Sequence, residues 1–207
     1  MIRFRPVFAI AFMLMALAAA PTTVALADAT PDVKDMPPGA YQLDPNHASV
    51  TFKINHLGFS RYTARFDKME ATLNFNNGAI EQSALNVTVY PNSIDANNAK
   101  LEEELRGDKF FDVIKFPRAT FQSTKIERTG NTTGKVTGDF TFLGVTHSLT
   151  LDVTLIGAGT RPMDNKKVIG FSATGIIRRS DYGLQNLLPL LGDDVTLEIE
   201  AEFDKAE

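Results

Sequence analysis

A period of two governs this chain. From Ala48 onward, Val50, Phe52 and Ile54 alternate with Ser49, Thr51 and Lys53. Successive side chains on a β-strand point to opposite faces, so this stretch reads as a strand with one buried face. His56 falls in phase with the apolar set and His47 does not. The same alternation returns at Leu85, Val87 and Val89, and again at Val136, Phe140 and Phe142. It is clearest over 146–156, where His147, Leu149, Leu151, Val153 and Leu155 face one way and Ser148, Thr150, Asp152 and Thr154 the other. Ile169, Phe171, Ala173 and Ile177 follow, and Val195, Leu197, Ile199, Ala201 and Phe203 close the chain.

Turn chemistry separates these runs. A short strand over 40–43 precedes the turn Asp44-Pro45-Asn46. The run 62–75 slips phase near Asp67-Lys68, which predicts a β-bulge. Asn76-Asn77-Gly78 is a hairpin signal, Pro91 stops a strand, and Thr129-Gly130-Asn131 and Gly144 turn the chain again. One helix is expected over 96–106, with Asp95 as N-cap, Gly107 at its stop and Glu102, Glu103 and Glu104 as a solvated face. The aromatic segment 109–116, KFFDVIKF, is too short for a long helix and reads as a plug or cover at one end of the sheet. Together these signals predict an all-β fold: an eight-stranded antiparallel up-and-down barrel with one inserted helix and a short helical cap. A barrel of this size is either filled by its own side chains or holds one small ligand.

The N-terminus addresses compartment. Arg3 and Arg5 precede the charge-free apolar run 7–20, and Ala25-Leu26-Ala27 forms a small-x-small cleavage site. A membrane span needs about 20 apolar residues, and Pro21 interrupts this one early. Residues 1–27 are therefore expected to be a cleaved secretory signal, which places the protein in the periplasm with no integral anchor. Residues 28–39 are polar and proline-rich and read as a flexible leader, and 40–207 as the barrel domain. With Arg3 and Arg5 removed, the 21 basic residues fall to 19 against 25 acidic ones, a formal charge of −6. Such a chain is poorly suited to nucleic acid or an anionic surface. The absence of cysteine removes disulfides and thiolate metal sites.

Catalytic signatures are missing. There is no paired-histidine metal spacing, no G-x-S-x-G elbow and no phosphate or dinucleotide loop. What remains are polar residues on the inner phase: His56, His147 and Arg179, with Arg178 on the outer phase. A buried guanidinium requires a partner, and Asp181 is the acid nearest in sequence. The loop 183–192, GLQNLLPLLG, places five leucines between two strands, where turns are normally polar. It is read either as a cap folded onto the barrel end or as a mobile apolar lip.

Four stretches carry a resemblance: DPNHASVTFKINH (44–56), LRGDKFFDVIKFPRATF (105–121), TGDFTFLGVT (137–146) and RSDYG (179–183). Together they resemble the YceI-like family of secreted bacterial proteins, in the family's order, from about Tyr41 to Phe203. The resemblance implies a lipocalin-like barrel around an elongated pocket for a long-chain apolar lipid: a polyisoprenoid, an isoprenoid quinone or a fatty-acid amide. It brings no fixed catalytic set, no cofactor and no metal. On this reading Val50, Phe52, Ile54, Phe140, Leu149, Leu151, Val153 and Phe171 form the tube, and His56 or Arg179 the polar anchor. Leu187 and Leu188, or the segment 109–116, form the gate. The partner is then the lipid, with transient membrane contact and a homodimer left open. A filled barrel serving as a stress-protective or partner-binding protein is the alternative, and an enzyme on a lipid headgroup a third.

Overall fold

The computed structural model describes residues 29–207. The signal-peptide reading of residues 1–27 lies outside the described residues. Ten strands run in chain order: β1 (Gly39–His56), β2 (Ser60–Phe66), β3 (Met69–Phe75), β4 (Ala84–Val89), β5 (Ile94–Asp95), β6 (Ala119–Arg128), β7 (Thr133–Phe142), β8 (Val145–Thr160), β9 (Lys167–Arg178) and β10 (Leu191–Lys205). Among the described residues the one α-helix, α1 (Ala99–Arg106), lies between β5 and β6.

All neighbours are antiparallel, and β10 pairs back onto β1 along Tyr41↔Lys205 to His56↔Leu191. The wall closes with eight staves, because β2 and β3 share one and β4 and β5 another: β2 pairs with the second half of β1 and β3 with its first residues, while β4 pairs with β3 and β5 with β2. The inner face of every stave carries the apolar phase expected from the alternation. Closure leaves no long exposed edge, which a flat sheet of such strands would have. Among the described residues, no helix is long and apolar enough to cross a membrane.

Several local devices differ from expectation. The phase slip at Asp67-Lys68 is a break between strands rather than a bulge. The Asp67 and Lys68 amides donate to Ser93 O and Ser93 Oγ, at 3.0 and 2.9 Å, and Tyr90 N donates to Lys68 O. A backbone satisfied by the β4–β5 connection no longer needs the ladder. Conversely, Asp44-Pro45-Asn46 does not end a strand. It sits in a bulge of β1, where the register jumps between Leu43 and Ala48. The N-cap of α1 is Asn98, whose side chain accepts from Leu101 N at 3.1 Å, while Asp95 accepts from Asn97 N. Glu102 is not merely solvated: Oε1 accepts from the Ala96 and Asn98 amides, and the other oxygen pairs with Arg106 at 3.5 Å.

The segment 109–116 does cover one end, but as consecutive turns and not a helix. Asp112 has φ 40°, which interrupts any helical path. Phe111 is its working residue, meeting Phe66 at 5.7 Å and Phe142 at 5.9 Å.

The leader, expected to be flexible, is docked. Thr30 bridges β8 at Ala158, Asn77 Nδ2 donates to the Met36 carbonyl, and Met36 is only 3% exposed. Polar, proline-rich composition masked the two apolar side chains, Val33 and Met36, that seat it. Buried side chains accordingly form two clusters. One, around Phe111, Phe121, Phe142 and Tyr182, lies at the end bearing α1, here the upper end. The other, around Met36, Tyr41, Phe75, Ile169 and Phe203, lies at the lower end.

Candidate functional site

Between the two clusters the barrel is hollow. A cavity of about 1060 Å³ runs along its axis, beyond the roughly 300–1,000 Å³ usual for a drug-sized ligand site. Its middle is walled by Val50, Phe52, Val87, Leu151, Val153 and Ile199, all drawn from the inner phase of their strands. Glycines keep it open: a Cβ on Gly175 of β9 would stand 2.6 Å from Leu151 Cδ2, and one on Gly138 would meet the Phe121 ring. These two positions need the missing side chain rather than backbone freedom.

The upper end holds the cavity's polar groups of interest. His56, the last residue of β1, lines the mouth with its imidazole exposed and 6.4 Å from the Tyr62 ring. Among the described residues the imidazole has no hydrogen-bond partner. Glu104 of α1 and Leu187 of the leucine loop stand at the same mouth.

Arg179 is 3% exposed and also borders the cavity, but its guanidinium is committed elsewhere. Nε donates to Gly192 O at 2.7 Å, Nη1 to Leu184 O and Asn186 O at 2.8 Å each, and Nη2 to Leu191 O at 3.3 Å. Burial pulls its pKa down, and Asp193 opposes that pull. The expected pairing with Asp181 does not occur. The nearby acid that is engaged is Asp193, which accepts from Ser180 N and Ser180 Oγ at 2.9 and 2.7 Å. Arg179 thus ties down the leucine loop, so of the two anchors considered only His56 remains available to a ligand.

His147 shares the phase of Leu149 yet does not line the cavity. Its Nε2 donates to Asp181 O at 3.1 Å and its ring stands edge-on to Tyr182 at 5.2 Å, so it braces the rim from an exposed position. The carbonyl can only accept, which fixes the proton on Nε2. Of the remaining residues assigned to the tube, Val50, Phe52, Ile54, Phe140, Leu149, Leu151, Val153 and Phe171 all border the cavity. Of the gate pair, Leu187 borders it and Leu188 does not.

Sequence reasoning missed the leader's contribution: Pro31, Asp32, Val33 and Lys34 form part of the cavity wall at the lower end. It also missed Arg161 in the β8–β9 turn, whose side chain is 14% exposed. Arg161 binds Asp44 of the β1 bulge at 3.1 Å, Asp204 at 2.7 Å and Asp164 at 2.8 Å, bracing the β1–β10 seam. Arg161 holds the Asp164 carboxyl down to about 2. His47 sits on the same bulge against Asp44 at 2.9 Å, which raises its pKa. Asp44, His47 and Glu202 have a spacing that a metal ion could bridge, but Arg161 already supplies their positive charge. No sequence neighbour announced that cluster, since its members come from β1, the β8–β9 turn and β10.

The architecture is a lipocalin-like barrel with an apolar interior and one unpartnered imidazole at its mouth. The model of the YceI-like domain matches residues 41–203, and the chain belongs to that family. A UPF0312 protein of Enterobacter sp. strain 638 is 37% identical over 164 residues, covering 78% of this chain and 84% of its own. Protein YceI of Salmonella arizonae is 36% identical over the same length, covering 78% and 85%. Among solved structures, the Campylobacter jejuni YceI protein superposes with a TM-score of 0.65 at 33% identity, over 74% of this chain and 90% of that one. Burkholderia cenocepacia BcnA reaches 0.70 at 21% identity, covering 77% and 98%, and shows the shared fold. A polyisoprenoid binding domain from Saccharophagus degradans has the same fold, with a TM-score of 0.58 at 14% identity over 80% and 98%.

Proposed function

We propose that the protein is a periplasmic carrier or reservoir for a long-chain apolar lipid, a polyisoprenoid or isoprenoid quinone being the best-fitting class. The observation that carries this is the cavity of about 1060 Å³ lined along its length by inner-phase aliphatic and phenyl side chains. Each buried methylene contributes about 0.8 kcal/mol, so a chain threaded along the axis gains much and needs few polar contacts. The polyisoprenoid-binding barrel of Saccharophagus degradans supports the ligand class by its fold. The charged start and apolar run before Ala27 support export. His56 is placed to meet a polar headgroup, while Arg179 holds the loop beside it. Binding without turnover fits a site whose middle is apolar and whose polar lining stands at its two ends, His56 and Glu104 above and Asp32, Lys34, Glu127 and Arg128 below.

Organic extraction of the purified protein followed by mass spectrometry tests this. A stoichiometric long-chain lipid is expected. An Ala173→Phe variant, whose side chain would project into the hollow beside Val153, should lose most of that lipid while staying folded. Protein that is reproducibly empty and takes up no prenyl alcohol, quinone or fatty amide would refute the carrier reading.

A further inference from the structure

Nine large apolar side chains stand exposed among the described residues, and six gather at the upper end: Leu57, Phe59, Ile114, Val145, Leu187 and Leu190. They come from four separate places, the β1–β2 turn, the segment 109–116, the first residue of β8 beside the β7–β8 turn, and the leucine loop. Phe59 and Ile114 are 89% and 92% exposed, and neither belongs to the cavity wall or to a buried cluster. Single exposed apolar residues are ordinary, but six at the tips of converging turns form a contact surface. The lower end differs. Ile156 and Met163 are exposed there, and the leader lies across it beside a polar rim of Glu127, Arg128, Asn131 and Lys135. The cavity reaches the apolar end through His56, Glu104 and Leu187.

We propose that this upper end is a docking face for a neutral phospholipid bilayer, with Phe59 and Ile114 inserting between headgroups and the cavity mouth meeting the lipid phase. The proposal rests on the carrier reading, because a long apolar chain passes between bilayer and barrel most easily when the mouth is not separated from the membrane by water. Two observations favour a bilayer over a second copy of the chain. The apolar tips are carried on four separate projections around an opening, rather than on one flat strand face that could pair with itself. The charges between them are of both signs, Arg61, Lys109 and Lys115 beside Glu104, Asp108 and Asp112, which suits zwitterionic headgroups. Partition should therefore depend on apolar insertion and hardly on salt or anionic lipid.

The chain has no tryptophan, so Phe59→Trp creates a single tryptophan at the tip, excited at the red edge where the four tyrosines do not absorb. With phosphatidylcholine vesicles its emission should shift to the blue, and the otherwise unaltered protein should co-sediment with the vesicles. The double variant Phe59→Glu with Ile114→Glu should lose at least tenfold in vesicle partition while keeping its extractable lipid, since neither residue lines the cavity. Failure of the unaltered protein to bind, equal binding by the double variant, or binding confined to anionic vesicles and abolished by salt would each overturn the proposal. So would a dimer that buries Phe59 and excludes vesicles. A barrel that carries no lipid but still binds vesicles through Phe59 and Ile114 would uphold the docking face and refute the carrier reading instead.

Discussion

Arg179 shows how far a single residue's environment can redirect its role. Its place on the inner phase of β9 marks it as buried, and burial of a guanidinium requires partners. Those partners are four carbonyls of the leucine loop and the start of β10, groups that a sequence cannot assign because every residue carries one. Arg179→Ala should therefore cost roughly 3 kcal/mol, read from the urea midpoint, by leaving buried carbonyls unsatisfied. Amide exchange over 184–192 should accelerate. Arg179→Lys should restore less than half of the loss, because an ammonium cannot reproduce the planar fork. Near-normal stability together with complete loss of bound lipid would instead assign Arg179 to the headgroup.

At the scale of elements, the strands were legible and their junctions were not. Alternation states which face of a strand is buried, but not whether a phase slip is a bulge, as at Leu43 to Ala48, or a break, as at Asp67-Lys68. That choice belongs to groups distant in sequence, here Ser93 and Tyr90. The leader makes the same point more strongly. Its composition suggests mobility, yet Met36 packs with Tyr41, Phe75 and Phe203 in the lower cluster. Met36→Ala should destabilise the protein by about 2 kcal/mol. The effect should be local: exchange at the Thr30–Ala158 bridge should quicken well before that at Phe52 and Leu197.

For the whole molecule, closure of the β1–β10 seam turns eight amphipathic staves into a tube, and the two end clusters set its length. A ligand that binds this tube and not the unfolded chain stabilises the fold by mass action. Free lipid at about 100 times its Kd should add roughly 2.7 kcal/mol, a rise of about 5 to 10 °C in Tm for a domain of this size. Delipidated protein titrated with a prenyl quinone and followed by calorimetry gives the measurement. A Tm unchanged by the quinone would mean that the folded barrel does not bind it.

Period-two patterning alone determined the class of fold and the inner face of each stave, because side-chain direction along a strand is a local property. It had no power to say that the barrel is hollow. That depends on whether facing walls meet, and so on Gly138, Gly175 and the positions of the end clusters. Tertiary structure also decided that His56 stands free at the mouth while Arg179 and His147 are spent on the rim. Hydrogen-bond partners across 5 to 34 residues of chain are chosen by the closed barrel, not by the local pattern.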